Sequence, residues 1–150
     1  MKMKLWDDFQ LDQSVKTWSI TVTETHIVNW AGLTMDYYPL HMDEEYAKNT
    51  RFKGRIAHGP LLLSLAIGLV GSSGFLGNAA LAWLGLENLR IPLPTRAGDT
   101  ITVHARVLEK RETKDKEKGI VILEYKVLNQ QEETVMSFNN VILYPRRSNT

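Results

Sequence analysis

Hydrophobic and polar residues alternate near the start of the chain and then change to a helical spacing. The alternation over residues 15–23 is typical of a half-buried strand. Thr23 is suited to cap the helix that follows, because its hydroxyl can accept a hydrogen bond from a free N–H group. Apolar residues then recur three and four positions apart, which predicts an amphipathic helix over residues 24–32 ending at Gly32. Asp43 is suited to cap a second short helix.

The most apolar stretch predicts a buried helix. Residues 61–70 leave almost no polar face, so we expect this helix to be wrapped on all sides. Pro60 suits its first position, because proline has no N–H to leave unpaired and its φ is preset. From Gly59 to Val70 the helix would span roughly 18 Å, against about 30 Å for a bilayer core, so we predict a core helix and no membrane partner.

The second half of the chain reads as strands. Alternating or continuous apolar patterns predict four of them, at residues 79–90, 100–110, 120–128 and 134–144. The charged run over residues 109–118 is interpreted as the solvated end of a hairpin. A strand, then helices, then long strands predict an α+β fold with an antiparallel sheet packed on one buried helix. We expect a single domain over residues 1–150.

Composition and charge narrow the range of possible functions. The chain has 150 residues, with 18 basic and 17 acidic side chains and a net charge of +1, which argues against a general nucleic-acid binder. It has no Cys, so disulfides, a thiol nucleophile and a thiolate metal site are excluded. The first residues have no apolar core of a signal peptide, and we expect a cytoplasmic protein.

Asp36 and His41 are the first candidates for chemistry. They are separated by a short segment that Pro39 stiffens, and two groups that can accept and donate protons can activate a water. The alternative is structural, with Asp36 capping a turn and His41 satisfied on the surface or in the core. Spacing alone leaves both interpretations open.

The segment His58-Gly59-Pro60 precedes the apolar helix and is the second candidate. Glycine lets a ligand approach the backbone, and a helix N-terminus presents free N–H groups that can stabilise an oxyanion. An ordinary helix entry is the alternative. A basic cluster lies just upstream, at Arg51, Lys53 and Arg55, and it is suited either to hold phosphates of coenzyme A or to form a solvated face.

Other site classes lack their signatures. The four histidines lie far apart along the chain with no H-E-x-x-H spacing, so we expect no metal site. Neither the G-x-S-x-G motif of serine hydrolases nor a glycine-rich nucleotide loop occurs.

Residues 36–59, DYYPLHMDEEYAKNTRFKGRIAHG, resemble the hydratase motif of the MaoC-like dehydratases, the (R)-specific enoyl-CoA hydratase branch of the hot-dog fold. The motif has the form G-D-x-N-P-x-H-x-D-x-x-[YF]-A followed by F-x-x-x-I-x-H-G. It is matched at Asp36, Pro39, His41, Asp43, Tyr46, Ala47, Phe52, Ile56, His58 and Gly59. Residues 90–112 are also similar to the family. The chain departs from the motif at Met35, which replaces Gly, and at Tyr38, which replaces Asn.

The resemblance implies a curved antiparallel sheet wrapped around a long central helix, paired as a homodimer or a dimer of dimers. It also implies that Asp36 and His41 grip one water and add it to a trans-2-enoyl-CoA thioester, giving an (R)-3-hydroxyacyl-CoA, or run the reverse dehydration. The Gly59 N–H would hold the thioester oxygen. Coenzyme A would be part of the substrate, and no separate cofactor is expected.

Further residues and rival functions follow from the resemblance. The candidates for substrate binding are Tyr38, His58, Arg51, Lys53 and Arg55. Two rivals share the fold: a thioesterase, in which the carboxylate would activate water against C1, and a non-catalytic acyl-CoA-binding protein.

Overall fold

The elements of the fold are seen in a computed structural model, which describes residues 2–147. A 3-10 turn at Trp6–Asp8 precedes two short strands, β1 (Ser14–Lys16) and β2 (Ile20–Thr21). The helices are α1 (Glu24–Thr34), α2 (Pro39–Met42), α3 (Glu44–Ala47) and α4 (Gly59–Ser72). The long strands are β3 (Ala82–Arg90), β4 (Thr100–Glu112), β5 (Lys118–Leu128) and β6 (Thr134–Pro145).

The strands form one antiparallel sheet in the order β1-β4-β5-β6-β3, and β2 also pairs with β4. Strands β4, β5 and β6 follow each other through two hairpins, and the charged run forms the tip of the first, as predicted. The α+β prediction is therefore confirmed, and the four long strands lie where the apolar patterns placed them, with β3 beginning at Ala82 rather than at residue 79.

Helix α4 packs on the inner face of this sheet. Its Leu62, Ala66 and Leu69 belong to the same buried core as the inward side chains of the strands, among them Val103, Val107, Leu123, Tyr125 and Phe138. Ser64 and Gly68 nevertheless remain exposed on its other side. The prediction of a helix wrapped on all sides is wrong for the single chain, because the sheet covers only one side of α4.

The predicted first strand is interrupted. Thr17 accepts a hydrogen bond from the Val103 N–H through its hydroxyl at 3.0 Å, and the hydroxyl donates to the Trp18 carbonyl at 2.8 Å. In the stretch that separates β1 from β2, this side-chain bonding interrupts the regular backbone ladder with β4. Trp18 alternates in step with Ile20 and the buried Val22, which predicts an inward side chain, but it points to solvent with 64% of its surface exposed.

Helix boundaries near the predicted site also differ from the sequence-based expectation. The Thr23 cap is confirmed, since its hydroxyl accepts from the His26 N–H at 3.3 Å, but α1 continues past Gly32 to Thr34. The composition of residues 36–41 favours a loop, but Pro39–Met42 form the short helix α2 instead. Within residues 2–147, none of the helices has the length and hydrophobicity of a membrane span.

Candidate active site

The first site segment begins where α1 ends. Met35 adopts a left-handed conformation, with φ 64°, and turns the chain so that Asp36 leads into α2. The Asp36 carboxylate accepts a hydrogen bond from the Tyr38 N–H at 3.3 Å, which is a local turn. Pro39 then occupies the first turn of α2 and places His41 on it. A carboxylate oxygen of Asp36 and one ring nitrogen each of His41 and His58 all lie within 4.8 Å of one another.

His41 is held as a neutral base. Its Nδ1 lies 2.8 Å from the Ile56 carbonyl oxygen, and because a carbonyl can only accept, Nδ1 carries the proton and Nε2 keeps its lone pair. Burial lowers the pKa of His41, and the neighbouring His58 lowers it further, whereas the bond to Ile56 and the charge of Asp36 act in the opposite direction. The net effect is a pKa below the usual value for histidine.

His58 lies beneath His41. It is completely buried, its Nε2 lies 3.0 Å from the Asp36 carbonyl oxygen, and its ring is stacked on that of His41 with the centroids 4.0 Å apart. The sequence-based objection to a metal, that the histidines lie far apart, is therefore wrong for His41 and His58. The folded chain brings them together beside a carboxylate.

The ring geometry nevertheless suits proton transfer better than a shared metal ion. A zinc ion lies in the plane of each imidazole that binds it, and tetrahedral coordination sets two such ring centroids about 5 Å apart. The rings of His41 and His58 are instead stacked, with centroids 4.0 Å apart and planes only 31° from parallel. This arrangement differs from that of two imidazoles bound to one tetrahedral zinc ion.

Gly59 is the first residue of α4, directly after His58. N–H groups in the first turn of a helix have no partner within the helix, and they carry its partial positive charge. A side chain at Gly59 would place its Cβ 2.9 Å from Cδ1 of Ile91, so the glycine lies against the segment that follows β3. The site thus combines a carboxylate, a neutral imidazole and the start of a long helix.

The predicted phosphate-binding cluster is divided by the fold. Arg55 pairs with Glu24 at 2.6 Å and with Glu44 at 3.0 Å, and these hydrogen bonds raise its pKa. Its charge is therefore already matched, and it joins α1 to α3. Arg51 and Lys53 are exposed, and within residues 2–147 neither of them forms an ion pair.

Tyr38 lies at the rim of the site. Its ring centroid is 6.3 Å from that of His41 and 6.3 Å from that of Tyr46, and its hydroxyl lies 3.5 Å from the Tyr46 hydroxyl. Tyr46 is not among the site residues predicted from the sequence, although its place in the resembling motif is a signal for it. His58, in contrast, has no exposed surface to offer to a substrate.

Arg96 is a supporting residue that is also absent from the sequence-based predictions. Its guanidinium donates to the Arg55 carbonyl at 3.0 Å and to the Phe52 carbonyl, and so it fixes the connector that leads to His58. No local pattern identifies this contact. A cavity of about 550 Å³ lies elsewhere, lined by the N-terminal segment and by the loop after α4, with Lys4 and Phe75 among its residues.

One family model, that of the MaoC like domain, matches residues 8–129, which include Asp36, His41, His58 and Gly59. The chain belongs to the MaoC-like family. The MaoC-like chain is 39% identical to Protein MaoC of Klebsiella aerogenes over 110 residues, which make up 73% of this chain and 32% of that protein. It is 37% identical to the (R)-specific enoyl-CoA hydratase of Rhodospirillum rubrum over 87 residues, 58% of this chain and 58% of that enzyme. The MaoC-like chain thus spans less than two thirds of the length of each of these two relatives.

Solved structures show the fold of this MaoC-like chain. The X-ray structure of a monoamine oxidase regulatory protein from Archaeoglobus aligns with a TM-score of 0.93 at 34% identity, over 99% of this chain and 98% of that chain. A Mycobacterium tuberculosis protein with a double hot-dog fold aligns with a TM-score of 0.85 at 19% identity, over 99% of this chain and 46% of that chain. The hot-dog fold implied by the resemblance is confirmed.

Proposed function

We propose that this MaoC-like protein is a hydro-lyase that adds water to a trans-2-enoyl-CoA thioester to give an (R)-3-hydroxyacyl-CoA, or catalyses the reverse dehydration. The observation that carries the proposal is the meeting of Asp36 with a neutral His41 beside the start of α4. The names of relatives agree with it: the Rhodospirillum rubrum relative is an (R)-specific enoyl-CoA hydratase, and a Methylorubrum extorquens relative, 30% identical over 88 residues, is a 3-hydroxybutyryl-CoA dehydratase.

The proposed chemistry uses one water. As the water oxygen bonds to C3, its proton passes to Nε2 of His41, and the electron pair of the C2=C3 bond moves toward the thioester oxygen. The Gly59 N–H stabilises the charge on that oxygen. The enolate then takes the proton at C2 and the thioester carbonyl re-forms, so that one water supplies both H and OH. The Asp36 carboxylate orients the water and stabilises the transient imidazolium.

The exposed side chains around the site define the proposed substrate contacts. Arg51 and Lys53 have charges free to meet the phosphates of coenzyme A, and Tyr38 borders the acyl end. Arg55 is assigned a structural role, because Glu24 and Glu44 already occupy its guanidinium.

We also propose that the working unit is a homodimer formed through β3. This strand lies at the edge of the sheet, and it exposes 60% of Trp83 and 50% of Leu84, with Leu81 exposed to 50% just before it. An exposed apolar edge strand is a template for pairing with another chain. Ile91, which follows β3 and contacts Gly59, would bring the interface to the site.

The test is incubation with crotonyl-CoA while enoyl absorbance and free thiol are followed together. We expect absorbance to fall without release of thiol. Asp36→Asn and His41→Ala are each expected to lower kcat/KM by about 10²–10⁴-fold, the usual loss when a general acid or base is removed. His104→Ala, which changes an exposed histidine on β4, is the matched control and should keep full activity.

Each other result rejects the proposal in a different way. Release of thiol would indicate a thioesterase. Tight acyl-CoA binding without turnover would indicate a binding protein. Near-full turnover by folded Asp36→Asn or His41→Ala would remove the assigned residues from the reaction.

A further inference from the structure

His58 is the one histidine buried completely in the described chain, and its hydrogen bond defines its tautomer. A buried imidazole normally has its polar atoms paired. Nε2 lies 3.0 Å from the Asp36 carbonyl oxygen, which can only accept, so the ring proton is on Nε2. Nδ1 has no hydrogen-bond partner within residues 2–147.

Reciprocal hydrogen bonds connect the backbone segments around the two histidines. The segment before His58 holds His41, since the Ile56 carbonyl accepts from Nδ1 of His41 at 2.8 Å. His58 in turn holds the segment before His41, through the carbonyl of Asp36. The Ile56 N–H also donates to the Leu40 carbonyl, at 3.4 Å. These contacts make one crossed lock between residues 36–41 and residues 56–58.

His58 also touches the element that holds the proposed oxyanion site. It is the residue immediately before α4, with Gly59 next in the chain, and its ring supports that of His41 from below. One buried side chain therefore connects the Asp36 carbonyl, the His41 ring and the start of α4. A displacement of any of these three by about 1 Å is enough to lower a rate by about 10²-fold.

We propose that His58 is a positioning residue that aims the Asp36 carboxylate and Nε2 of His41 at the same water. This role rests on the proposed hydratase function. It replaces the sequence-based interpretation of His58 as a substrate-binding residue, because the side chain is 0% exposed. In this role His58 donates from Nε2 to the Asp36 carbonyl and takes no part in the proton transfers of the reaction.

Two substitutions separate positioning from acid–base catalysis. In His58→Gln the side-chain amide can still donate to the Asp36 carbonyl but cannot transfer a proton. In His58→Leu the volume is largely kept and the donor is lost. We expect His58→Leu to lower kcat with crotonyl-CoA by about 10²-fold with little change in KM, and His58→Gln to stay within about tenfold of the original kcat. His104→Leu is the control at an exposed histidine.

Two outcomes of these assays would overturn the proposal. One is an unchanged kcat in folded His58→Leu. The other is an equal loss of kcat in folded His58→Gln and His58→Leu, since this would mean that the imidazole itself is required. Thermal unfolding is measured for each variant. If His58→Leu does not fold, the kcat of His58→Gln and the position of its pH profile decide between positioning and acid–base catalysis.

A readout independent of turnover separates this proposal from the proposed function. Nitrogen-15 NMR of the imidazoles is expected to show His58 protonated at Nε2 and His41 protonated at Nδ1, and His41 is expected to keep that tautomer in His58→Gln. An Nδ1-protonated His58 would overturn the positioning role even in an active enzyme. An inactive wild-type protein with the expected tautomers would overturn the hydratase function and leave the crossed lock in place.

Discussion

At the scale of single residues, the decisive feature is the protonation state of His41. The Ile56 carbonyl fixes its proton on Nδ1, and burial lowers its pKa, so the lone pair of Nε2 is available in neutral solution. A base with this pKa remains unprotonated at a pH where an ordinary exposed histidine, with a pKa of about 6.5, would already be charged.

This predicts the acid limb of the pH profile. The reaction as proposed needs unprotonated His41, so activity falls as the pH drops through the His41 pKa, which burial has lowered. We expect the acid limb of kcat/KM for crotonyl-CoA to lie below about pH 6.5. Thermal unfolding over the same pH range shows whether the chain stays folded. An acid limb above that value in folded protein would contradict the role of His41 as the base.

Arg55 shows at the same scale how a charge loses a predicted function. Its partners Glu24 and Glu44 lie 31 and 11 residues away in the chain, and both reach its guanidinium. The sequence shows that Arg51, Lys53 and Arg55 lie close together along the chain, but it does not show that the two glutamates fold against Arg55. Only Arg51 and Lys53 therefore remain as proposed phosphate contacts.

At the scale of elements, the end of α1 determines the position of Asp36. The helix continues through Gly32 to Thr34 and is ended by Met35, whose φ of 64° is the left-handed conformation that glycine favours. The resembling motif has glycine at this position. Met35 therefore occupies a strained helix end directly before a catalytic candidate, and 76% of its surface is exposed.

Substitution of Met35 by Gly is expected to stabilise the protein. A left-handed conformation costs an L-residue about 1–2 kcal/mol, and the greater freedom of glycine in the unfolded chain offsets part of the gain. We expect the free energy of unfolding to rise by about 1 kcal/mol and Tm by about 2–4 °C, measured by calorimetry.

The control for Met35→Gly is Leu33→Gly. Leu33 is also exposed, to 80%, but it lies within α1, where glycine lowers stability by up to about 1 kcal/mol. A lower Tm in Met35→Gly would show that the Met35 side chain stabilises the site loop by contacts that outweigh its backbone strain.

At the scale of the whole molecule, one chain leaves two features incomplete. Helix α4 keeps Ser64 and Gly68 exposed, and the edge strand β3 presents large apolar side chains to solvent. The proposed dimer through β3 would pair the free backbone of that edge. It would also enclose the segment around Ile91, which lies against Gly59.

The double variant Leu81→Lys, Leu84→Lys tests this assembly. Two charges at an apolar edge disfavour strand pairing, so we expect the dimer to dissociate to monomers in light scattering and the turnover of crotonyl-CoA to fall. Leu33→Lys places the same charge on another exposed leucine, on α1, and should leave the protein dimeric. A monomeric wild-type chain, or a double variant that remains dimeric, would contradict an interface at β3.

The sequence by itself determined the central helix, the long strands and the family. The apolar run of α4 and the alternation along the long strands are local patterns that follow from the 3.6- and 2-residue periods of helices and strands. The spacing of Asp36 and His41 within a motif is a local pattern as well. The break at Thr17 escaped this reasoning, because the bond that causes it reaches Val103 on another strand.

Only the tertiary structure decided what surrounds the site. The bond from His41 to Ile56 spans 15 residues, that from His58 to Asp36 spans 22, and that from Arg55 to Glu24 spans 31. Such contacts form only when α1, α2, the connector and the start of α4 have packed beside the sheet. The periodicity of apolar residues does not depend on that packing. The buried role of His58 and the pairing of Arg55 are therefore properties of the folded chain.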